Sequence, residues 1–549
     1  MLKVLRFYLQ RKNTTGLKAS RGIRALLLTR LKRQIMPNIL WVDDEIDMLK
    51  GHLLFLEGKG YAFDTCNNGI DALELVVERP FDAVFLDENM PGLSGLETLE
   101  KMKAIRPEMP IVMITKSEEE QIMEMAIGSK IEDYLIKPVN PNQVLMSLKK
   151  ILEGKELVTR ATTRGYQQVF GKLTMEMQGL QTWEEWADFY KQLLRWELEL
   201  DQGNEEGLKG VLSNQKKEAN ELFCRFMSNQ YENWFKTTDR PMLSHEVVGH
   251  LIAPRIRNGE KVFFVVVDNL RYDQWLAIKP KVMEDFKIEN EGLYSSILPT
   301  ATQYARNALF AGMMPGNIKK ELPQYWKEEG EEGSKNQFEK ELFQYQLNGL
   351  GLENKQMKYH KVVNLRSANK FIDAIHENKE ADVVTLVYNF VDTLSHARTD
   401  VEVIKELASN DSAYRRLTAT WFDSSPLRKA MQWAAKQGFT VVVTTDHGTV
   451  NVNRASKVIG TKDLTTNLRF KTGTGMSYQN KHSLVVKNPD SIGLPKNHIA
   501  DQYIFALNDL FYAYPNRFNH FVQYYRNTYQ HGGVSLEELI IPYAVLNGK

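Results

Sequence analysis

The feature that most constrains the fold is a rhythm of short apolar runs separated by amphipathic stretches, which occurs twice in the 549-residue chain. In its first occurrence, between residues 38 and 138, the runs read NILWV, YAFDTC, FDAVFLD, PIVMIT and DYLIKP. This spacing is typical of β–α units, in which a helix connects each strand to the next. It therefore predicts an α/β fold with a five-stranded parallel sheet over residues 37–154.

Functional side chains stand where these strands end. Asp43 and Asp44 follow the first run, and Asp87 ends the third. Ligands of an open parallel sheet gather at the carboxyl ends of its strands, and grouped carboxylates need either raised pKa values or a cation. We therefore expect these three acids to hold Mg2+, with Asp87 as the nucleophile that accepts a phosphoryl group. Thr115 and Lys137, at the fourth and fifth strand ends, are predicted to contact its oxygens.

The stretches WVDDE, VFLDENMPGLSG, MITKSEEE and YLIKP make residues 37–152 resemble the receiver domain of bacterial response regulators. The resemblance implies a flavodoxin-like sheet and phosphorylation of Asp87 by a sensor histidine kinase. It also implies a switch through Thr115 and Tyr134 that favours a homodimer after phosphorylation.

Residues 1–36 form a basic extension, with ten Lys or Arg residues and no acidic residue before Met36. It is interpreted either as an amphipathic targeting segment or, preferably, as the product of an upstream start codon. The extension lacks the apolar core of a signal peptide, and no later stretch has the length of a membrane span. Cys66 and Cys224 offer no disulfide framework and fit a reducing compartment, so we expect a cytoplasmic location.

Residues 155–245 lose the strand pattern. Aromatic residues at positions 183, 186, 190 and 196 recur at roughly helical spacing. The segment is predicted to be a small helical bundle that connects two domains. A helical connector can transmit a change in dimer geometry, which a flexible linker cannot.

The strand rhythm returns over residues 246–549. Four apolar runs predict a second, larger parallel sheet with a site at its carboxyl edge. They lie in the stretches KVFFVVVDNLRYD, ADVVTLVYNFVDTLSHA, FTVVVTTDHGT and TYQHGGVSLEELIIPYAVL.

Six potential metal ligands accompany these runs. Asp392 and His396 are four residues apart, on one face of a helix if a helix begins there. Asp446-His447-Gly is also reasonable turn chemistry, but the other ligands favour a metal site. Six Asp and His side chains are too many for one tetrahedral zinc with an open position and suit two transition metals. The set is Asp268, Asp392, His396, Asp446, His447 and His531.

The stretch LPTATQYARN offers Thr300 and Thr302 as nucleophiles. A metal can lower the pKa of a threonine hydroxyl, although a lone threonine is more often a helix N-cap. At a helix N-terminus the threonine would also present a phosphoryl group to free amides. Arg306 or Asn307, one turn further on, is expected to contact the remaining phosphate oxygens.

The stretches VVVDNLRYD, LPTATQYARN, VYNFVDTLSH, TTDHG and QHGG resemble the PglZ-type members of the alkaline phosphatase superfamily. The resemblance implies one Zn2+ on Asp392, His396 and His531. It implies a second Zn2+ on Asp268, Asp446, His447 and the nucleophile Thr302. Thr302 is preferred to Thr300 because the nucleotide phosphodiesterase branch uses the second threonine of Pro-Thr-x-Thr. The sequence shows no acidic triad for a third, Mg2+ site, so a diester substrate is favoured.

The two modules together resemble response regulators of type IX secretion and gliding in Bacteroidetes. That resemblance implies a dizinc phosphodiesterase for oligonucleotides, including cyclic ones, and a sigma factor as a further partner. The alternative is a zinc-stabilised scaffold that binds a partner protein and has little catalysis. Direct binding to duplex DNA is disfavoured, because no helix-turn-helix module follows the receiver and the chain beyond residue 35 is net negative.

Overall fold

A computed structural model describes residues 36–116, 131–201, 206–328, 331, 333–400, 408, 410–460 and 465–549. Contacts divide the chain into two compact units, residues 1–162 and 163–549, which have separate hydrophobic cores. The predicted basic extension lies outside the described residues except for Met36. Residues 117–120, the last part of the MITKSEEE stretch, also lie outside them.

The described residues of the first unit include five strands, β1 Asn38–Val42, β2 Ala62–Cys66, β3 Ala83–Asp87, β4 Ile111–Thr115 and β5 Asp133–Ile136. They form one sheet in the order β2-β1-β3-β4-β5, with every neighbouring pair parallel. The predicted parallel sheet is confirmed.

Successive residues of a strand point to opposite sides, and the buried strands of this sheet carry apolar residues on both sides. Helices therefore cover both faces of the sheet. The helices are α1 Lys50–Glu57, α2 Gly69–Glu78, α3 Gly95–Ile105 and α4 Pro141–Leu148. Leu40 and Val42 of β1 pack in the core that α2 and α3 complete. Ile39 and Trp41 pack on the other face, with residues of α1 and α4.

The connector region contains the helices α5 Gly154–Glu176, α6 Trp183–Asp201 and α7 Glu206–Gln230. Trp183, Trp186 and Tyr190 of α6 are buried in the same core cluster as Phe264 of the large sheet. The predicted helices of the connector are therefore present from residue 163 onward as part of the second compact unit.

The described part of the second unit forms one large sheet and three small ones. Its strands are β6 Val262–Val267, β7 Phe286–Ser295, β8 Met357–Val362, β9 Val383–Tyr388, β10 Thr440–Thr444, β11 Val450–Val452, β12 Arg454–Lys457, β13 Phe470–Gly473, β14 Ser483–Val486, β15 Gln502–Ala506, β16 Leu510–Ala513, β17 Thr528–Gln530 and β18 Ile540–Gly548. The large sheet has the order β7-β18-β10-β6-β9-β8.

The large sheet is mixed, so the expectation of a wholly parallel sheet is wrong for its last strand. β8, β9, β6 and β10 are mutually parallel, but β18 pairs antiparallel with both β10 and β7. β18 is buried on both faces over most of its length, and a continuous apolar run carries no information about strand direction.

Further helices pack around this sheet: α8 Ala253–Arg257, α9 Tyr272–Asp285, α10 Thr302–Ala311, α11 Pro315–Glu321, α12 Glu339–Gly349, α13 Leu365–Asp373, α14 Phe390–Asp400, α15 Asp411–Ser424, α16 Pro426–Lys436, α17 Phe518–Tyr525 and α18 Leu536–Leu539. Among the described helices, none combines the length and the apolar composition of a membrane span.

Candidate functional sites

In the first unit, three acidic residues meet at the carboxyl edge of the sheet. Asp43, Asp44 and Asp87 each offer a carboxylate oxygen within 4.8 Å of the others. Lys137 Nζ lies 2.9 Å from Asp43 Oδ2 and 2.9 Å from Asp87 Oδ2. Thr115 is fully buried at the end of β4. The structure thus assembles at one edge the residues that the sequence predicted for phosphoryl chemistry.

The electrostatics of this edge suit a cation. Burial raises the pKa of Asp87, and it does so despite the contact with Lys137. Burial acts to lower the pKa of Lys137, but its contacts with Asp43 and Asp87 outweigh burial and raise it. Asp87 Oδ1 is buried and has no hydrogen-bond partner within the described ranges. An all-oxygen donor set of this kind fits Mg2+.

In the second unit, the six predicted ligands form two groups of three. One group is Asp268, Asp446 and His447, and the other is Asp392, His396 and His531. Within each group, one ligand atom of every residue lies within 4.8 Å of the others. The rings of His447 and His531 stack with their centroids 4.3 Å apart, so the two groups are adjacent.

The local structure explains how each ligand reaches the site. Asp268 directly follows β6 and Asp446 comes two residues after the end of β10, and the carboxyl ends of these parallel strands share one edge of the sheet. Asp392 and His396 lie on α14, one turn apart. The first group is completely buried, whereas the His396 side chain is 65% exposed. Solvent therefore reaches the pair of groups from the His396 side.

Both buried imidazoles are held in the form that binds a metal. His447 Nδ1 lies 3.1 Å from the carbonyl oxygen of Gly448, and His531 Nδ1 lies 3.1 Å from that of Thr300. A carbonyl only accepts, so Nδ1 carries the proton in each ring and Nε2 keeps a free lone pair. Burial lowers the pKa of both histidines to about 3, which keeps them neutral. Neutral imidazole is the ligand form.

The carboxylates of the site are crowded. Burial raises the pKa of Asp268 to about 7, and the neighbouring Asp446 adds to the effect while Arg306 opposes it. Burial also raises the pKa of Asp446 and of Asp392. Asp446 Oδ2 is buried without a hydrogen-bond partner in the described part of the chain. Bound cations would offset this repulsion, and the Asp and His donors fit two transition-metal ions.

The two threonines have different surroundings. Thr302 begins α10, and its Oγ1 lies 3.0 Å from His447 Nε2 and 3.5 Å from Asp268 Oδ1. Thr300 is fully buried, donates its hydroxyl to the carbonyl of Gly533 and accepts from the amide of Gly532. The geometry therefore favours Thr302 over Thr300 as the reacting hydroxyl.

Arg306 and Asn307 already have protein partners. The Arg306 side chain is 2% exposed, and its guanidinium lies 2.6 Å from Asp268 and 2.5 Å from Glu339. Asn307 donates to the carbonyl of Lys335 and accepts from the side chain of Asn336. As placed, Arg306 orients Asp268 and Asn307 holds a neighbouring segment. Their phosphate contacts stay predictions.

Two site residues escaped the sequence reasoning. Asn269 has a left-handed backbone (φ 66°) and donates its amide to Asp446 Oδ1, while its side chain lies 3.3 Å from Ser395 of α14. An asparagine two residues after the end of a buried strand was an available signal, since asparagine tolerates this conformation. Asn336 donates its side-chain amide to the carbonyl of Thr302. It is 34 residues away in sequence, so no local pattern indicated it.

Three family models match the chain. A response regulator receiver domain matches residues 39–149, and a PorX response regulator linker domain matches residues 156–235. A BREX system PglZ alkaline phosphatase-like domain matches residues 247–546, which is more than half of the chain.

Individual relatives match a smaller part. Transcriptional regulatory protein ZraR of Klebsiella oxytoca is 34% identical over 134 residues, which are 24% of this chain and 30% of the relative. Transcriptional regulatory protein ResD of Bacillus subtilis is 32% identical over 114 residues, which are 21% of this chain and 47% of the relative. The chain thus spans less than half the length of these curated relatives.

Two solved structures match a similarly small share of this chain. A CheY-like receiver domain protein from Methanospirillum hungatei is 28% identical, with 22% of this chain and 97% of that chain covered and a TM-score of 0.21. A response regulator from Burkholderia pseudomallei, solved with a phosphorylated aspartic acid, calcium ion and citrate, is 25% identical. Its match covers 22% of this chain and 71% of that chain, with a TM-score of 0.20.

The fold, the sites and the family matches define a two-component regulator with a phosphatase-like output domain. The chain belongs to the PglZ alkaline phosphatase-like family, joined to a response regulator receiver domain. Its order of receiver, linker and PglZ domain matches the architecture of PorX response regulators.

Proposed function

We propose that phosphorylation of Asp87 controls a dizinc phosphodiesterase formed by the second unit, with oligonucleotides, linear or cyclic, as substrates. One observation carries the enzymatic part of this proposal. The hydroxyl of Thr302 contacts Asp268 and His447 at the start of α10, beside the adjacent group of Asp392, His396 and His531. A scaffold has no need of a hydroxyl in this position.

In the proposed reaction, Thr302 Oγ1 loses its proton to solvent and forms a bond to the phosphorus of a diester. The bond from phosphorus to the leaving alcohol breaks, and that alcohol takes a proton from water. Water then breaks the bond between phosphorus and Thr302, which restores the hydroxyl. The free amides of the first turn of α10 bind the phosphoryl oxygens. Two zinc ions, when bound, supply charge stabilisation and lower the pKa of the threonine hydroxyl.

We assign a cavity that is lined in part by residues of α10 to the second ester group of the substrate. It has a volume of about 290 Å3 and begins at Gln303 and Tyr304, which directly follow Thr302. This space suits a nucleoside on one side of the reacting phosphate, because its lining offers hydrogen-bond donors and acceptors. The polar lining includes Thr465, Thr472, Thr474, Lys496, Asn497 and His498.

The regulatory part of the proposal rests on the first unit and on the family matches. A sensor histidine kinase supplies the phosphoryl group to Asp87, with Mg2+ held by Asp43, Asp44 and Asp87, and the phosphorylated chain forms a homodimer. We extend the proposal to a role in type IX secretion and gliding, with a sigma factor as a further partner, because the sequence of the two modules resembles regulators of those systems.

The test compares hydrolysis of bis-p-nitrophenyl phosphate with that of p-nitrophenyl phosphate, and the zinc content is measured on the same samples. We expect about two zinc ions per chain, preference for the diester, and loss of turnover in Thr302→Val with zinc retained. Thr418→Val is the control for loss of a threonine hydroxyl away from the ligand groups, since Thr418 is fully buried and its hydroxyl accepts one hydrogen bond and donates one. Full zinc content without hydrolysis of either ester or of nucleotide diesters would instead support the scaffold.

A further inference from the structure

Thr300, two residues before the proposed nucleophile Thr302, is hydrogen-bonded to the turn that carries His531. The Thr300 hydroxyl accepts from the amide of Gly532 at 3.0 Å and donates to the carbonyl of Gly533 at 2.9 Å. The backbone carbonyl of Thr300 lies 3.1 Å from His531 Nδ1. Thr300 thus makes three contacts with three consecutive residues that are more than 230 positions away.

A buried ion pair supports the far side of this turn. The amide of Gly533 donates to Glu538 Oε1 at 2.9 Å. Arg469 contacts Glu538 at two points, from Nε at 3.2 Å and from Nη2 at 2.6 Å, and both side chains are completely buried. The two parallel contacts fix the relative orientation of the Arg469 and Glu538 side chains. Separating the two side chains would leave each as an uncompensated buried charge, which is strongly unfavourable.

The same glutamate also holds the turn of the other ligand group. The backbone carbonyl of Glu538 accepts from the amide of Gly448, which directly follows His447. Close approach explains the glycines: a Cβ at Gly448 would lie 1.9 Å from the carbonyl oxygen of Glu537, and one at Gly533 would lie 2.5 Å from that of Ala506. The two histidine turns are therefore packed against one rigid support.

We infer that Thr300, Glu538 and Arg469 form a positioning unit that fixes the tautomer and orientation of His531 relative to Thr302. The inference rests on the proposed function. Thr300 holds the Nδ1 proton of His531 on its carbonyl, which directs Nε2 toward Asp392 and His396, while two residues later Thr302 presents its hydroxyl. The two neighbouring threonines thus divide the work: Thr302 reacts, and Thr300 orients a metal ligand. Partners that orient a ligating histidine in this way typically affect metal affinity by about 10- to 100-fold.

The experiment measures zinc affinity by competition with a chelator, together with kcat and KM on bis-p-nitrophenyl phosphate. In Thr300→Val we expect one of the two zinc ions to bind about 10- to 100-fold more weakly, and kcat to fall at an unchanged KM. Thr300→Ser keeps the hydroxyl and should restore both values to near wild type. Thr418→Val, the matched loss of a buried hydroxyl, should change neither. Equal zinc affinities in Thr300→Val and Thr418→Val would overturn the inference.

Two features keep the test decisive. Zinc affinity is measured without turnover, so an inactive wild type contradicts the proposed function while the affinities still decide the inference. If Thr300→Val does not fold, Arg469→Lys replaces it, because lysine keeps the buried positive charge but loses the two-point contact with Glu538. A folded Arg469→Lys variant that binds both zinc ions as tightly as wild type would also overturn the inference.

Discussion

Thr302 Oγ1 lies 3.0 Å from His447 Nε2. This nitrogen carries no proton, because the ring proton is on Nδ1, which donates to the carbonyl of Gly448. The hydroxyl at the start of α10 and the imidazole after β10 therefore point at the same place. In the proposed reaction, a side chain at position 302 can act as the nucleophile only if it carries a hydroxyl.

Serine at position 302 should preserve much of the activity. Thr302→Ser keeps the hydroxyl and loses one methyl group, which typically costs about tenfold in kcat/KM. Thr302→Ala removes the nucleophile and should lower kcat by at least about a thousandfold. Steady-state kinetics on bis-p-nitrophenyl phosphate check both values. A Thr302→Ala variant as active as Thr302→Ser would remove Thr302 from the mechanism.

The two ligand groups should respond differently to loss of a histidine. His396→Ala should lower the affinity for one zinc ion. Because His396 is mostly exposed, the substitution should change the unfolding free energy of the metal-free protein by less than about 0.5 kcal/mol. His447 is completely buried, so His447→Ala should also destabilise the metal-free protein, by about 2–4 kcal/mol. Zinc analysis and denaturant unfolding after chelation measure the two effects. Equal destabilisation by the two variants would contradict the difference in burial.

The strand ends could be predicted from the sequence because a buried parallel strand and the acid that follows it are contiguous. This is why Asp87, Asp268 and Asp446 could be chosen before the structure was known, and why the first sheet was predicted correctly. The support of the site could not be predicted in the same way. Glu538 and Arg469 are 69 residues apart, and only the folded chain shows that they meet. The direction of β18 was also hidden, because an apolar run reads alike in both orientations.

Phosphorylation should depend on Asp87 alone among the acids of β3 and its flanks. With acetyl phosphate and Mg2+, the wild-type chain should take up one phosphoryl group, because the Asp87 carboxylate contacts Lys137 and lies beside Asp43 and Asp44. Asp87→Asn should take up no phosphoryl group, and intact-mass measurement checks both outcomes. Asp82→Asn is the control, since Asp82 lies exposed just before the other end of β3. Labelling of Asp87→Asn equal to that of Asp82→Asn would place the acceptor elsewhere.

His245 should make the second unit sensitive to mild acid. Burial lowers the pKa of its imidazole to about 4, with Arg240 acting in the same direction and Glu246 opposing it. The unfolded chain binds this proton below about pH 6.5, whereas the folded chain does not. Stability is therefore fully present above pH 6.5 and falls as the pH drops toward 4, by up to about 3 kcal/mol.

This pH dependence is measured as the unfolding free energy of the metal-free protein at several pH values. His245→Phe should have a flatter profile than wild type between pH 6.5 and 4. His250→Phe, which replaces an exposed histidine of the same segment, should leave the wild-type slope unchanged. If the two variants have the same slope, the acid sensitivity does not come from His245.

Arg415 should be essential for attachment of the connector helix α6. Its guanidinium lies 2.6 Å from Glu197 of α6 and 2.8 Å from Asp273 of α9, and its side chain is only 3% exposed. Arg415→Met leaves these carboxylates without that partner and should cost about 3–5 kcal/mol of unfolding free energy. The adjacent Arg416 is exposed and donates to Ser412, so Arg416→Met should cost less than about 0.5 kcal/mol. Denaturant unfolding measures both costs, and limited proteolysis should cut α6 faster in Arg415→Met alone. Equal behaviour of the two variants would show that the buried pair does not hold α6 in place.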